Sequence, residues 1–130
     1  MNTFGVLTQI CGLSTHDAAQ YLKVPPRVAL RWSRGVGEAT PDALAALGSL
    51  QARQQDVADA IISSWDEAGR PPSISLSVAR DDDEARSMGW PSLASQIAPA
   101  AIAQAILAPI RIELDQGAEE KAAPAALAAV

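Results

Sequence analysis

The sequence predicts a mainly α fold, an N-terminal helix-turn-helix bundle followed by a small C-terminal strand-helix-strand dimerisation lobe. Three observations lead there. Apolar residues make up 48% of the chain and aromatics only 4%, so the core must be built from Ala, Leu, Ile and Val, and Ala and Leu head the helix-propensity ranking. Through the first half of the chain apolar positions recur every three to four residues. Strict apolar–polar alternation appears only in two short runs of the second half.

Thr3 to Cys11 carries Phe4, Leu7, Ile10 and Cys11 at helical spacing, with Gly12 as the stop. Ser14-Thr-His-Asp17 reads as a capping box, Ser14 at the N-cap and Asp17 at N3, and Ala18, Ala19 and Leu22 form the buried side of the helix it opens. Lys23-Val24-Pro25-Pro26 is a turn, because paired prolines fit only the first turn of a helix, where backbone N–H groups have no partner. A third helix therefore starts near Pro25 and runs to Arg34, with Gly35 closing it. Thr40-Pro41 is a second N-cap followed by Pro at N1. From there Leu44, Leu47, Leu50, Val57, Ile61 and Trp65 mark one long helix, or two joined near Gly48-Ser49, ending at Ala68-Gly69.

Arg70-Pro71-Pro72 is a boundary, and Ser73 to Ala79 alternates as a half-buried strand with Ile74, Leu76 and Val78 on one face. Arg80 to Arg86 is a charged loop or a short helix. Ser92 to Leu107 reads as a helix with Leu93, Ile97, Ala101, Ile102 and Ile106 on its apolar side, divided or kinked at Pro99. Ile110 to Leu114 alternates again as a second strand. These readings divide the 130 residues into a helix-turn-helix domain (1–69), a dimerisation lobe (70–115) and a disordered, Ala-rich tail (116–130). Two strands and a helix bury too little to stand alone, so pairing with the same lobe of a second chain is expected, through Ile74, Leu76, Val78, Trp90, Ile110 and Ile112.

Net charge is −5, yet it is unevenly spread. Residues 1–53 hold five basic and three acidic side chains, whereas residues 54–130 hold five basic and twelve acidic ones. Between Leu22 and Arg34 stand Lys23, Arg27, Arg31 and Arg34 with no acid. Charges further apart than ~8 Å are screened at physiological salt, so such a stripe can meet phosphate on an acidic protein.

With Ala29 and Trp32 turned inward, Pro26, Arg27, Leu30 and Arg31 form the outward face of the third helix and are the expected base contacts. Arg27 and Arg31, four apart, share a face and suit bidentate contact with guanine, while Leu30 suits a thymine methyl. Arg34 and Lys23, with Ser14 and His16 at the start of the second helix, are the expected phosphate contacts.

The segment Leu13-Ser-Thr-His-Asp-Ala-Ala-Gln-Tyr-Leu-Lys-Val-Pro-Pro-Arg-Val-Ala-Leu-Arg-Trp-Ser-Arg-Gly35, with Thr40-Pro41 after it, resembles the phage repressor (Cro/CI-like) helix-turn-helix superfamily over residues 1–68. It departs from that pattern at Lys23, where glycine is frequent, and at Pro25, where serine is frequent. Gly69-Arg-Pro-Pro72, the alternating strand, the acidic run and Gly89-Trp90 before a helix are similar to the C-terminal part of anti-CRISPR-associated autorepressors. The resemblance implies a homodimeric repressor of a phage or mobile-element operon that binds an inverted repeat of double-stranded DNA in its own promoter. The reading roles then fall on Arg27, Leu30, Arg31 and Arg34.

No enzyme is expected. His16 is the single histidine and stands in no ligand cluster, Asp81-Asp-Asp-Glu84 lacks the spaced ligands and glycine of a calcium loop, and no cofactor or metal is expected. Cys11, the single cysteine, excludes an intrachain disulfide. The N-terminus shows no signal-peptide pattern and no apolar run nears the ~20 residues of a membrane span, so a cytoplasmic protein without a membrane partner is expected. Two alternative readings are an antitoxin or excisionase-like architectural factor, also DNA-binding, and a protein-interaction module whose acidic C-terminal half binds a basic partner, the helix-turn-helix serving only as scaffold.

Overall fold

A computed structural model describes residues 2–116. Apart from Gln116, the tail expected over 116–130 lies outside the described residues. Six helices and two strands follow one another as α1 (Thr3–Ile10), α2 (Thr15–Leu22), α3 (Pro26–Ser33), α4 (Pro41–Glu67), β1 (Ser73–Val78), α5 (Asp82–Ser87), α6 (Leu93–Leu107) and β2 (Arg111–Gln116). The fold is mainly helical, with one two-stranded parallel sheet.

Local chemistry explains most boundaries. The Ser14 hydroxyl accepts from the Asp17 N–H at 3.0 Å and the Asp17 carboxylate accepts from the Ser14 N–H at 3.3 Å, closing a capping box on α2. Thr40 accepts from the Ala43 N–H and Pro41 fills the first helical position of α4, which runs unbroken through Gly48 for 27 residues. The acidic run forms α5, capped by Asp81, which accepts from the Glu84 N–H.

One core spans both halves of the chain. Phe4 of α1, Cys11 and Leu13 of the turn after it, and Trp32 of α3 belong to the same buried cluster as Leu47, Leu50, Val57 and Ile61 of α4, Leu76 and Val78 of β1, and Ala100 and Ala103 of α6. Gly12, in the left-handed region at φ 75°, packs so close to α6 that a β-carbon there would lie 2.7 Å from the Ala94 carbonyl carbon. The Ser92 hydroxyl donates to the Gly12 carbonyl at 3.0 Å across the same seam.

Helix α6 corrects two expectations. It is continuous through Pro99, and its buried residues are Ser95, Gln96, Pro99, Ala100, Ala103 and Leu107, whereas Ala101 is exposed and Ile106 is 59% exposed. Proline cannot donate to the carbonyl four residues earlier, here that of Ser95. The Gln54 side chain of α4 supplies the missing donor at 2.9 Å, and the same Nε2 donates to the Cys11 carbonyl at 2.9 Å. The buried face is the small-residue face because it lies tight against α4 and the Gly12 turn. Ile97 and Ile102 are half-buried beside it, Ile97 packing against the core, and Ile106 lies outside it.

Strand β1 pairs in parallel with β2 in the register Ser73↔Arg111 to Val78↔Gln116, the connection running through α5 and α6. The alternating residues divide as expected on β1, where Leu76 and Val78 are buried at 4% exposure each. On β2 the same face is less covered, and Leu114 is 39% exposed.

Candidate nucleic-acid interface

Helices α2 and α3, eight residues each, are joined by Lys23, Val24 and Pro25. Lys23 adopts a left-handed conformation, φ 58° and ψ 43°, at the C-cap of α2, a position that glycine usually fills. The Val24 N–H then returns to the Ala19 carbonyl at 3.0 Å, which turns the chain. Pro25 and Pro26 start α3 without a side-chain cap, Pro26 lending its fixed φ to the first turn.

The orientation of α3 follows from its inner face. Ala29 is fully buried and Trp32 9% exposed, the indole meeting the Phe4 ring edge-on at 5.5 Å between centroids. Asn2 donates from its side-chain amide to the Trp32 carbonyl at 2.6 Å while its oxygen caps α1 through the Gly5 N–H. With that face held, Pro26, Arg27, Leu30, Arg31 and Arg34 are all exposed, Leu30 at 38%. The four expected base contacts therefore share one outward surface.

Electrostatics mark this surface off from the rest of the molecule. Among the described residues none of Lys23, Arg27, Arg31 and Arg34 takes part in an ion pair, whereas Arg70, Arg80, Arg86 and Arg111 each face a carboxylate. Asp17, the acid of α2, is engaged by its own helix cap and lies 3.7 Å from the Arg86 guanidinium.

The expected phosphate contacts divide into two places. Ser14 and Arg34 line one open cleft of about 570 Å³ with Gly5, Thr8, Gln9, Leu13, Thr15 and Ser33. His16 is exposed in the first turn of α2, close to that cleft in sequence. Lys23 stands at the opposite end of α2, about 12 Å along an eight-residue helix. Gln9, Thr15 and Ser33 belong to the cleft and escaped the sequence reading, since polar residues on three different helices carry no common spacing.

The candidate dimer contacts fare differently. Leu76, Val78 and Trp90 lie in the chain's own core, with exposures of 4%, 4% and 1%, and leave no side-chain surface for a partner. Trp90 is covered by Arg53, whose guanidinium carbon lies 3.7 Å from the ring centroid while its Nη1 donates to the Gly89 carbonyl at 2.7 Å. Burial pulls the Arg53 pKa down from its ordinary value, partly offset by Tyr21. Ile74, Ile110 and Ile112 are half-buried.

Among the described residues no group of His, Cys, Asp and Glu is arranged to hold a metal ion, and no helix is long and apolar enough to cross a membrane. Comparison with models of protein families, with curated proteins and with solved structures gives no match.

Proposed function

We propose that this chain is a sequence-specific DNA-binding transcriptional repressor whose α2–turn–α3 unit works as a helix-turn-helix, and that it acts as a homodimer on an inverted repeat of its own operon. The observation that carries the reading is the exposed face of Arg27, Leu30, Arg31 and Arg34, without a carboxylate partner among the described residues, on a helix anchored from behind by Ala29 and Trp32. A helix of this kind enters the major groove with its N-terminal residues against base edges. Arg27 and Arg31 then read guanine through O6 and N7, Leu30 touches a thymine methyl, and Pro26 brings the backbone close to the groove floor. Ser14, His16, Lys23 and Arg34 take phosphate on either side and set the register.

Repression is steric in this reading. Two copies of α3, one turn of DNA or about 34 Å apart, fill adjacent major grooves and exclude polymerase. The test is fluorescence anisotropy on the DNA upstream of the gene, comparing the wild type with Arg31→Ala. Loss of one bidentate guanine contact removes about 1–3 kcal/mol, a drop in affinity of roughly 5- to 150-fold. Equal binding by the two proteins overturns the assignment of α3 as the reading helix.

A further inference from the structure

The parallel sheet has two outer edges, and the chain treats them in opposite ways. The Arg111 N–H donates to the Pro72 carbonyl, which sets the phase of the ladder: even-numbered residues of β1 and odd-numbered residues of β2 face each other. On β2 the groups that point away belong to Ile110, Ile112 and Leu114. The Gln104 side chain of α6 seals part of that edge, its Nε2 donating to the Ile110 carbonyl and its Oε1 accepting from the Ile112 N–H at 2.8 Å. On β1 the groups that point away belong to Ser73, Ser75 and Ser77, and among the described residues nothing bonds to them.

That open edge also lacks the usual devices against pairing. Within Ser73–Val78 there is no proline, no charge and no break in the ladder. Ser75, at its middle, is exposed.

We propose that the outer edge of β1 pairs with the same strand of a second copy of this chain, antiparallel and centred on Ser75. The register argues for a second copy over an unrelated strand, because the edge is complementary to itself. A two-fold axis at Ser75 sets Ser75 against its own copy and Ser73 against Ser77 of the partner subunit, and all three outward N–H groups and all three carbonyls of each chain then find partners. On the core side of the sheet the same register brings the half-buried Ile74 of each copy to the seam, while Leu76 stays in its own chain's core. A slip by one residue would set serine against isoleucine or leucine. On the other face only small hydroxyls meet, so nothing repels. The product is a four-stranded sheet in the order β2-β1-β1-β2. This names the contact of the dimer in the proposed function and rests on that reading for the presence of a second copy at the operator.

The test is sedimentation velocity over a concentration series without DNA, with two substitutions at Ser75. The wild type is expected to form a dimer. Ser75→Glu sets two carboxylates face to face on the axis and is expected to abolish the dimer while leaving the circular dichroism spectrum unchanged. Ser75→Cys brings two thiols within reach, since directly bonded antiparallel residues lie about 5.5 Å apart at Cα. It is expected to give a covalent dimer on oxidation, whereas Ser49→Cys on the exposed side of α4 is not. A monomeric wild type, or a dimer that resists Ser75→Glu and gives no crosslink at Ser75→Cys, overturns the proposal. Binding to a single half-site keeps this result apart from the DNA reading: Ser75→Glu retains half-site affinity, whereas Arg31→Ala loses it and remains dimeric.

Discussion

Replacing Gln54 with methionine tests how the two halves of the chain are held together, because one side-chain nitrogen serves both. Gln54 Nε2 donates to the Cys11 carbonyl before α2 and to the Ser95 carbonyl within α6, each at 2.9 Å, and the residue is 1% exposed. Methionine keeps the length and much of the volume, so the packing changes little and the two carbonyls lose their donor. Each buried group left unsatisfied costs about 1–3 kcal/mol, partly offset by the easier burial of a thioether, which leaves an expected loss of about 2–4 kcal/mol. At roughly 3–5 °C per kcal/mol for a domain of this size, the melting temperature falls by about 6–20 °C. The decisive measurement is a double-mutant cycle with Pro99→Ala. Alanine at 99 restores a backbone N–H for the Ser95 carbonyl, so in that background Gln54→Met strands only the Cys11 carbonyl. The two substitutions should therefore couple by about 1–3 kcal/mol in urea unfolding followed by circular dichroism. Additivity within about 0.5 kcal/mol would refute the claim that Gln54 stands in for the proline's missing donor.

Lys23→Gly relieves a left-handed residue at φ 58°, worth about 1–2 kcal/mol, against about 0.4–1 kcal/mol of added freedom in the unfolded chain. Urea unfolding should thus show a gain of about 0.5–1 kcal/mol, and on the proposed DNA-binding reading the log–log salt slope of binding should fall by about 1, one phosphate contact fewer. Gly12→Ala combines a positive φ with a 2.7 Å approach to α6 backbone, and should cost about 2–4 kcal/mol by thermal melting. Gly37→Ala, equally left-handed at φ 75° with nothing near it, should cost only about 1 kcal/mol. Burial holds the Cys11 thiol above its ordinary pKa. A folded value above the unfolded one means that the stabilisation is intact below the unfolded thiol's pKa and is lost as pH rises through the folded value. Stability should accordingly fall on the alkaline side of about pH 8.5, and native Cys11 should resist iodoacetamide until the chain unfolds.

The parts of the fold legible in the sequence are those fixed by chemistry within a few residues. The capping box at Ser14 and Asp17, the Thr40-Pro41 start of α4 and the Pro25-Pro26 start of α3 each state a boundary in three or four letters. The outward set on α3 was legible for a related reason: Ala29 and Trp32 phase the helix, and the arginines fall opposite. Helix α6 resisted the same approach because alanine fits either side of a helix, so its apolar residues run all round and carry no phase. Its phase is set by Gln54, 41 positions away, and by Gly12. Leu76, Val78 and Trp90 read as partner contacts because a lobe of two strands and a helix looks too small to cover them. The cover comes from the chain's own core, in which α4 and α6 pack together, and Arg53 closes over the indole.

The same separation between local and distant partners explains how an acidic chain can present a basic face. Much of its negative charge is engaged close to where it arises. Asp17 and Asp81 cap α2 and α5, Asp82 accepts from the Leu93 N–H at 2.8 Å, Glu84 holds Arg80, and Asp83 holds Arg86. Lys23, Arg27, Arg31 and Arg34 have no such engagement among the described residues. Phosphates arriving along α3 would therefore meet cations that no carboxylate of the described residues already holds, Lys23 before the helix and Arg34 at its end. On the proposed reading, the net charge of −5 sets how slowly the protein and DNA find each other from afar, and the α3 face sets how tightly they hold once they touch.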